Sequence, residues 1–449
     1  MALFSKTKTQ DPFSPGLYSY NLVNGDSKSQ IHLRVDDDLT GALIINAARV
    51  VHLNPSASAV AYTRLEKFEK SRALNFLGQL FNAGKQQLES DYADASAKID
   101  ALTDENSDLC PVCDLNLELD MPFSAKLSAP YRMDLAITYR CNNDCAHCYN
   151  ARPRNYPELD MASWKKIIDK IWDLRIPHLV FTGGEPTLRN DLPELVAYAQ
   201  GKGMITGLNT NARRLADKTL VDDLVNAGLD HVQITVEAAS PLIHNEMVRS
   251  SIAWQETIQG LRNAVNSRLY LMTNTTLLRN NAHTLPDILN FLHEEKVPTI
   301  GLNALIYSGH GETVNTGLEE SELPSLLKIA QDFTNQSGQK LIWYTPTQYC
   351  HFDPLMLDLG VKGCTAAYYN MCIEPDGVVI PCQSYYEGLG NLLVDDWNTI
   401  WNHPLAMQLR ERKSIPSACK TCDYLIECGG GCPLARDHQQ VQPIYRVLN

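Results

Sequence analysis

Three thiols fall within eight residues where a short apolar strand, Asp134-Leu-Ala-Ile-Thr-Tyr-Arg140, delivers Cys141-Asn-Asn-Asp-Cys145-Ala-His-Cys148. A Cys-x-x-x-Cys-x-x-Cys loop can fold three thiolates around a cubane iron–sulfur cluster and leave the fourth iron without a protein ligand, a place to do chemistry. The plainer readings are a zinc loop, or thiols that only pack, since free cysteine is among the most buried residue types. Structural zinc sites, however, are usually closed by four ligands, often as paired Cys-x-x-Cys knuckles. Further on, His178-Leu-Val-Phe-Thr182 runs into Gly183-Gly184-Glu185-Pro186. The two glycines let a backbone come close to a ligand, and the Glu185 carboxylate stands ready to meet a cation.

A second concentration of thiols lies near the other end. Cys364 is followed after twelve residues by Gly377 and after four more by Cys382; then come Cys419-x-x-Cys422, five residues, Cys428, three residues and Cys432. Glycines punctuate these loops, and so short a segment has little apolar core of its own, which points to metal clusters with zinc ribbons as the alternative. Cys372 sits inside the first of these loops. Cys110-Pro-Val-Cys113 is a further pair with no second pair close by, and it is left without a role.

The elements that must position these residues are legible in outline. From Tyr131 the pattern is strand, loop, helix, repeated, with strands expected over 134–139, 178–182, 204–209, 231–237, 269–277 and 299–306. Helices lie between them, such as Met161 to Leu174 after the cap Asp160 and Thr284 to Glu294. Six such units give a parallel sheet with right-handed crossovers, whose ligands sit at the C-terminal strand ends. The cysteine loop and the Gly-Gly-Glu-Pro turn both fall at such ends. Before the barrel, apolar runs at Leu17–Tyr20, Ile31–Val35, Leu43–Asn46 and Val50–Leu53 alternate with turn residues and predict a small antiparallel sheet. Asn54-Pro55-Ser56 then opens helical sequence, with Asn54 or Ser56 as cap, running to about Ala101; the polar, Ala-rich stretch from about Ser71 reads as a linker.

Composition narrows the function classes. The hydrophobic fraction is 44%, the charged fraction 20%, and the formal net charge −13 with no basic tract, which argues against nucleic acid or anionic membrane as a partner. No run of about 18 apolar residues occurs, and Met1–Lys8 lacks the apolar stretch of a secretory signal, so the expected location is cytoplasmic. In that compartment thirteen cysteines are better explained by metal than by disulfides.

The cysteine loop with Gly183-Gly184-Glu185-Pro186 resembles the radical S-adenosylmethionine (SAM) enzymes over about residues 130 to 345. The resemblance implies that SAM chelates the open iron through its amino and carboxylate groups, that Gly183–Pro186 meet its amino group, and that an electron cleaves it to methionine and a 5′-deoxyadenosyl radical. It also implies a reductase, flavodoxin or ferredoxin as electron donor. By family register Asn209, Thr235 and Arg249 become SAM contacts, with Asn211 and Glu237 as neighbours and Asn303 and Leu305 bordering the adenine; Ser250 stands where relatives often carry Gly. The C-terminal spacing resembles the SPASM extension, which implies auxiliary 4Fe-4S clusters: Cys364, Cys382 and Cys432 for the first, Cys419, Cys422 and Cys428 for the second. Family members often carry one more cysteine beyond the last knuckle, and none follows Cys432 here. Cys372 or Cys350 is then a candidate to complete the first cluster, and Asp437 or His438 the second, the alternative being an iron left open. The run Leu33-Arg-Val … Leu43-Ile-Ile … Val51-His-Leu-Asn-Pro resembles the PqqD-like winged-helix module that recognises leader peptides.

The expected architecture is therefore α/β: a PqqD-like winged-helix α+β domain (1–70), a helical linker (71–129), a partial (β/α)6 TIM-like barrel (130–345) and a cysteine-rich iron–sulfur domain (346–449). The expected activity is modification of a ribosomally made precursor peptide, held by the first domain. The alternatives are a radical SAM enzyme acting on a small molecule or tetrapyrrole side chain and, outside enzymes, an iron–sulfur electron carrier or zinc-stabilised interaction protein.

Overall fold

In a computed structural model, residues 13–24, 27–47, 49–104, 123 and 126–439 are described. They fall into two compact units. The first is Met1–Ser128 with Asp169–His178 and Gly201–Ile205; the second comprises Ala129–Ile168, Leu179–Gln200 and Thr206–Asn449.

In the first unit, period-2 apolar sequence gives four antiparallel strands in the order β1 (Gly16–Asn24), β2 (Ser27–Val35), β3 (Gly41–Ile45) and β4 (Arg49–Leu53). Ile31, Leu33, Val35, Leu43 and Ile45 are buried on the core side. Asn54 ends β4 and caps α1 (Pro55–Leu65): its side chain accepts the Ala57 amide at 2.8 Å, and Pro55 occupies the first turn, where its missing N–H costs nothing. Two further helices, α2 (Lys70–Leu80) and α3 (Lys85–Thr103), follow. The expected linker is corrected at this point: Ala73 and Leu77 of α2 and Tyr92, Ile99 and Leu102 of α3 are buried in the same core as Leu33 and Tyr62, so these helices are structural members of the unit. Cys110 and Cys113 lie outside the described residues.

In the barrel region β5 (Arg132–Thr138), α4 (Met161–Asp173), β6 (His178–Gly183), α5 (Leu192–Lys202), β7 (Ile205–Thr210), α6 (Lys218–Ala227), β8 (His231–Thr235), α7 (Pro241–Val248), α8 (Ala253–Val265), β9 (Tyr270–Thr276), α9 (Leu285–Glu294) and β10 (Thr299–Asn303) reproduce the expected alternation. The Asp160 side chain caps α4 through the Ser163 amide at 2.8 Å. Trp164, Ile167, Ile168 and Ile171 of α4 are fully buried at helical spacing; each such side chain contributes roughly 1.5–3 kcal/mol. A seventh parallel strand, β11 (Lys340–Trp343), follows α10 (Leu323–Ser337) and pairs with β10.

The cysteine-rich region adds β12 (Asn370–Ile373), β13 (Val378–Ile380) and β14 (Gly390–Asn391). β12 pairs parallel to β5, with Cys372 opposite Asp134, so the ten-stranded sheet runs β11-β10-β9-β8-β7-β6-β5-β12-β13-β14. The barrel sheet and the cysteine-rich region are thus joined through backbone hydrogen bonds. Among the described residues no helix is long and apolar enough to cross a membrane.

Candidate active site

The three-thiol loop leaves β5 and is held mainly through its backbone. Asp144 N and Ala146 N donate to the carbonyls of Val248 (3.1 Å) and Met247 (2.9 Å) at the end of α7, and Gly311 N donates to Cys148 O (3.3 Å). Arg154 donates to Cys141 O (2.8 Å), Asn143 O (2.5 Å) and Asp144 (2.7 Å). Arg213 reaches Asn142 O and Asn143 Oδ1 (2.9 Å) while Glu256 holds its Nε at 2.5 Å. From inside the loop the buried His147 Nε2 meets buried Glu237 Oε1 at 2.8 Å, and Glu237 Oε2 accepts the Thr276 amide at 3.0 Å. Sequence reading named Glu237 only as a neighbour and missed His147, Arg154 and Arg213. Their partners lie 10 to 90 positions away, and local patterns do not carry such pairings.

The Gly-Gly-Glu-Pro turn packs directly on the backbone that carries the thiols. A Cβ on Gly183, whose φ is +140°, would fall 2.0 Å from Thr138 O, and one on Gly184 2.3 Å from Arg140 O and 2.6 Å from Tyr139 O. The glycines therefore admit the strand-to-loop backbone that carries the thiols, an approach sealed by Gly184 N to Thr138 O and Glu185 N to Arg140 O, both 2.8 Å. Glu185 is fully buried, and its carboxylate is held by four donors. Oε1 accepts Thr187 N (3.1 Å), Thr187 Oγ1 (2.6 Å) and Thr210 Oγ1 (2.7 Å), and Oε2 accepts Asn211 N (2.8 Å). Burial pushes its pKa up against these four donors, which favour the charge. Glu185 latches the end of β6 to the end of β7, and Pro186 opens the short turn that follows.

The remaining sequence candidates are partly gathered here. Asn209 lies on β7 opposite Gln233, and Thr235 ends β8 opposite Asn274. Asn211 Nδ2 reaches Asn142 Oδ1 (2.7 Å) and approaches Cys141 Sγ (3.9 Å), bringing the β7 end against the thiol loop. Arg249 is exposed at the end of α7, with Asp144 of the loop 3.8 Å away. Asn303 is buried at the end of β10, and Leu305 packs with Met247 and Leu278.

The C-terminal thiols form two groups. After burial, the larger cause, Cys432 and Cys382 raise the pKa of Cys364, and Cys432 raises that of Cys382, which is pushed up to about 12. Cys419 feels Cys350 and Cys422, and Cys428 feels Cys350. Cys350 thus lies within electrostatic reach of Cys419 and Cys428. Cys372, expected as an extra ligand, is fully buried in a cluster with Ala136, Tyr139 and Ile380, and after burial Asp134 and Cys382 help to raise its pKa. The other expected completions point elsewhere: Asp437 is exposed, 4.0 Å from Arg436, and His438 stacks on Tyr307 and meets Glu312 O at 3.0 Å.

The donor set fits iron–sulfur clusters. Thiolates are soft ligands suited to them, and the thiols here lack the charge that would ionise them: burial comes first in raising Cys141, to about 11, as well as Cys145 and Cys148. Among the described residues no disulfide takes up a thiol, and no three Cys, His, Asp or Glu side chains gather as a single metal ion requires. A cubane cluster spreads its thiolates over separate irons and asks for wider spacing.

Family models agree with this geometry. Residues 135–292 match the radical SAM superfamily and residues 364–423 match SPASM, an iron–sulfur cluster-binding domain. Fe-coproporphyrin III synthase of Methanosarcina barkeri is 28% identical over 325 residues, 66% of this chain and 81% of that protein. PqqA peptide cyclase of Xanthomonas axonopodis pv. citri is 29% identical over 326 residues, 68% and 82% of the two chains. Among solved structures, Streptococcus suis SuiB bound to precursor peptide SuiA has the same fold, with 17% identity and a TM-score of 0.68 over 93% of this chain and 97% of that one. The chain thus carries a radical SAM domain and a SPASM domain, the domains of an enzyme whose cofactors are SAM and 4Fe-4S clusters.

Proposed function

We propose that this enzyme is a peptide maturase in which Cys141, Cys145 and Cys148 hold the SAM cluster. Bound there, the cluster supplies the electron that cleaves SAM to methionine and a 5′-deoxyadenosyl radical. The tied loop fixes the thiols, Gly183–Pro186 set the strand end beside them, and Asn209, Thr235 and Arg249 are the SAM contacts. Cys364, Cys382 and Cys432, and separately Cys419, Cys422 and Cys428, hold auxiliary clusters. The radical takes a hydrogen from one peptide residue, giving 5′-deoxyadenosine. Closure of a thioether, carbon–carbon or related cross-link would then release one proton to solvent and one electron to an auxiliary cluster, so the peptide loses two hydrogens in all. The electron donor is a reductase, flavodoxin or ferredoxin, and the reduced thiols suit the cytoplasm.

The observation that carries the peptide reading is β4. Within the described residues it pairs with β3 alone, and Arg49 and Val50 on it are exposed. An extended leader can add there as a further strand, each backbone hydrogen bond contributing roughly 0.5–1.5 kcal/mol, and the tethered core residue gains effective concentration at the SAM site. The names of the similar PqqA peptide cyclase and of SuiB with its bound precursor peptide support this reading. The likeness to Fe-coproporphyrin III synthase supports a second one, a tetrapyrrole side chain as substrate. The two are separated by supplying the anaerobic, reconstituted enzyme with SAM, reductant and either a short peptide encoded beside its gene or an iron porphyrin. Peptide lighter by two hydrogens is expected; unchanged peptide with an altered porphyrin would replace the first reading by the second.

A further inference from the structure

We infer that Cys350 is the fourth protein ligand of the iron–sulfur cluster held by Cys419, Cys422 and Cys428, an inference that rests on reading those thiols as cluster ligands. Segment 347–351, which follows β11 in the chain, is built onto the turn that carries Cys428. Tyr349 N lies 3.4 Å from Cys428 Sγ, that sulfur lies 3.6 Å from Thr347 O, and the Tyr349 and Tyr424 rings approach to 6.1 Å. Gly431 completes the fit: its φ is +71°, and a Cβ there would come within 2.7 Å of the Gln348 side chain and 3.2 Å of Gln348 N. On the far side of Cys350, His351 Nδ1 is fixed by Glu320 Oε2 at 2.7 Å. Cys350 is therefore the residue between an amide bonded to one ligand sulfur and a pinned imidazole, and it is only half-buried. A thiolate there gives the cluster four soft ligands. Closed in this way, the second cluster has no open iron for substrate, which leaves it electron transfer or a structural role. Among the described residues the first group, Cys364, Cys382 and Cys432, has three thiols apart from the buried Cys372.

The test uses the full chain carrying Cys141→Ala, Cys145→Ala and Cys148→Ala, so that only auxiliary clusters assemble, reconstituted anaerobically with iron and sulfide. This background should bind about 8 irons, four per cubane cluster. Cys350→Ala and Cys419→Ala should behave alike, each losing up to half of the iron or converting a cluster to a three-iron form visible in the oxidised electron paramagnetic resonance spectrum, while Cys372→Ala keeps the full count. A second readout needs no substitution: in the otherwise native protein, iodoacetamide should label Cys350 only after iron is chelated, as seen by peptide mass spectrometry. Full iron and an unaltered spectrum in Cys350→Ala, or labelling of Cys350 in the loaded protein, would overturn the inference. If Cys419→Ala also lost no iron, the reading of the second group as cluster ligands would fall first, and the inference with it.

Discussion

Gly184→Ala separates two reasons for a glycine beside the thiol loop. If the residue is small to admit SAM, the substitution weakens SAM binding and leaves the empty protein intact. The structure instead puts three backbone atoms in the way of the new methyl: Arg140 O at 2.3 Å, Tyr139 O at 2.6 Å and Arg140 C at 2.8 Å. None belongs to a flexible side chain, so the ends of β5 and β6 must part, straining the 2.8 Å bonds from Gly184 N and Glu185 N. Overpacking of this kind costs about 1–3 kcal/mol. At about 2–4 °C per kcal/mol for domains of 150–250 residues, the melting temperature falls by roughly 2–12 °C. The assay is thermal unfolding of iron-free protein without SAM, followed by circular dichroism. Gly201→Ala is the comparison: nothing lies within 4 Å of its would-be Cβ on α5, and the change should be neutral or stabilise by about 0.5–1 kcal/mol. An iron-free Gly184→Ala protein that melts with the parent, while SAM affinity alone falls, would refute the packing argument.

Two further outcomes follow from the same contacts. Arg213→Ala removes the hold on Asn142 and Asn143 without touching a thiol, so the loaded protein should lose iron to a chelator several-fold faster with its fold intact; an unchanged rate of decay of the cluster's visible absorbance would count against the loop being clamped from this side. His244 is buried and its pKa is held down at about 4, with burial the main cause and Glu237 opposing it. Between pH 6.5 and 4 the unfolded chain binds the proton and the folded one does not, so stability present above pH 6.5 is lost as pH falls, by roughly 3 kcal/mol for this residue. Urea unfolding at pH 7 and pH 4.5 should show this loss shrinking in His244→Gln; an equal loss in both proteins would remove His244 from the account.

What was legible in sequence follows the range of the interactions. Buried parallel strands read as apolar runs, so β5 to β10 lie within a few residues of expectation, and Asn54 and Asp160 announce their helices because a cap bonds two or three residues away. The helical signal in α2 and α3 was also present, since Tyr92, Ile99 and Leu102 share one face; their polar neighbours led to the linker reading. The hold on Glu185 is legible only in part, since Thr187 stands two residues on but Thr210 and Asn211 stand 25 and 26 positions on. The addition of β12 to β5 has no local signal at all, being a pairing of short strands more than 200 residues apart. Cys350 falls outside the spaced motif, and only folding brings segment 347–351 to Cys428.

The central claim is that the loop of Cys141, Cys145 and Cys148 generates radical chemistry from SAM on a peptide. Its most direct test is anaerobic incubation of the reconstituted enzyme with SAM, reductant and the peptide encoded beside its gene, following 5′-deoxyadenosine by mass spectrometry in parallel with Cys145→Ala. The account predicts product from the parent, increased by the peptide, and none from Cys145→Ala. Equal product from both proteins, or none from a parent fully loaded with iron and peptide, would contradict it.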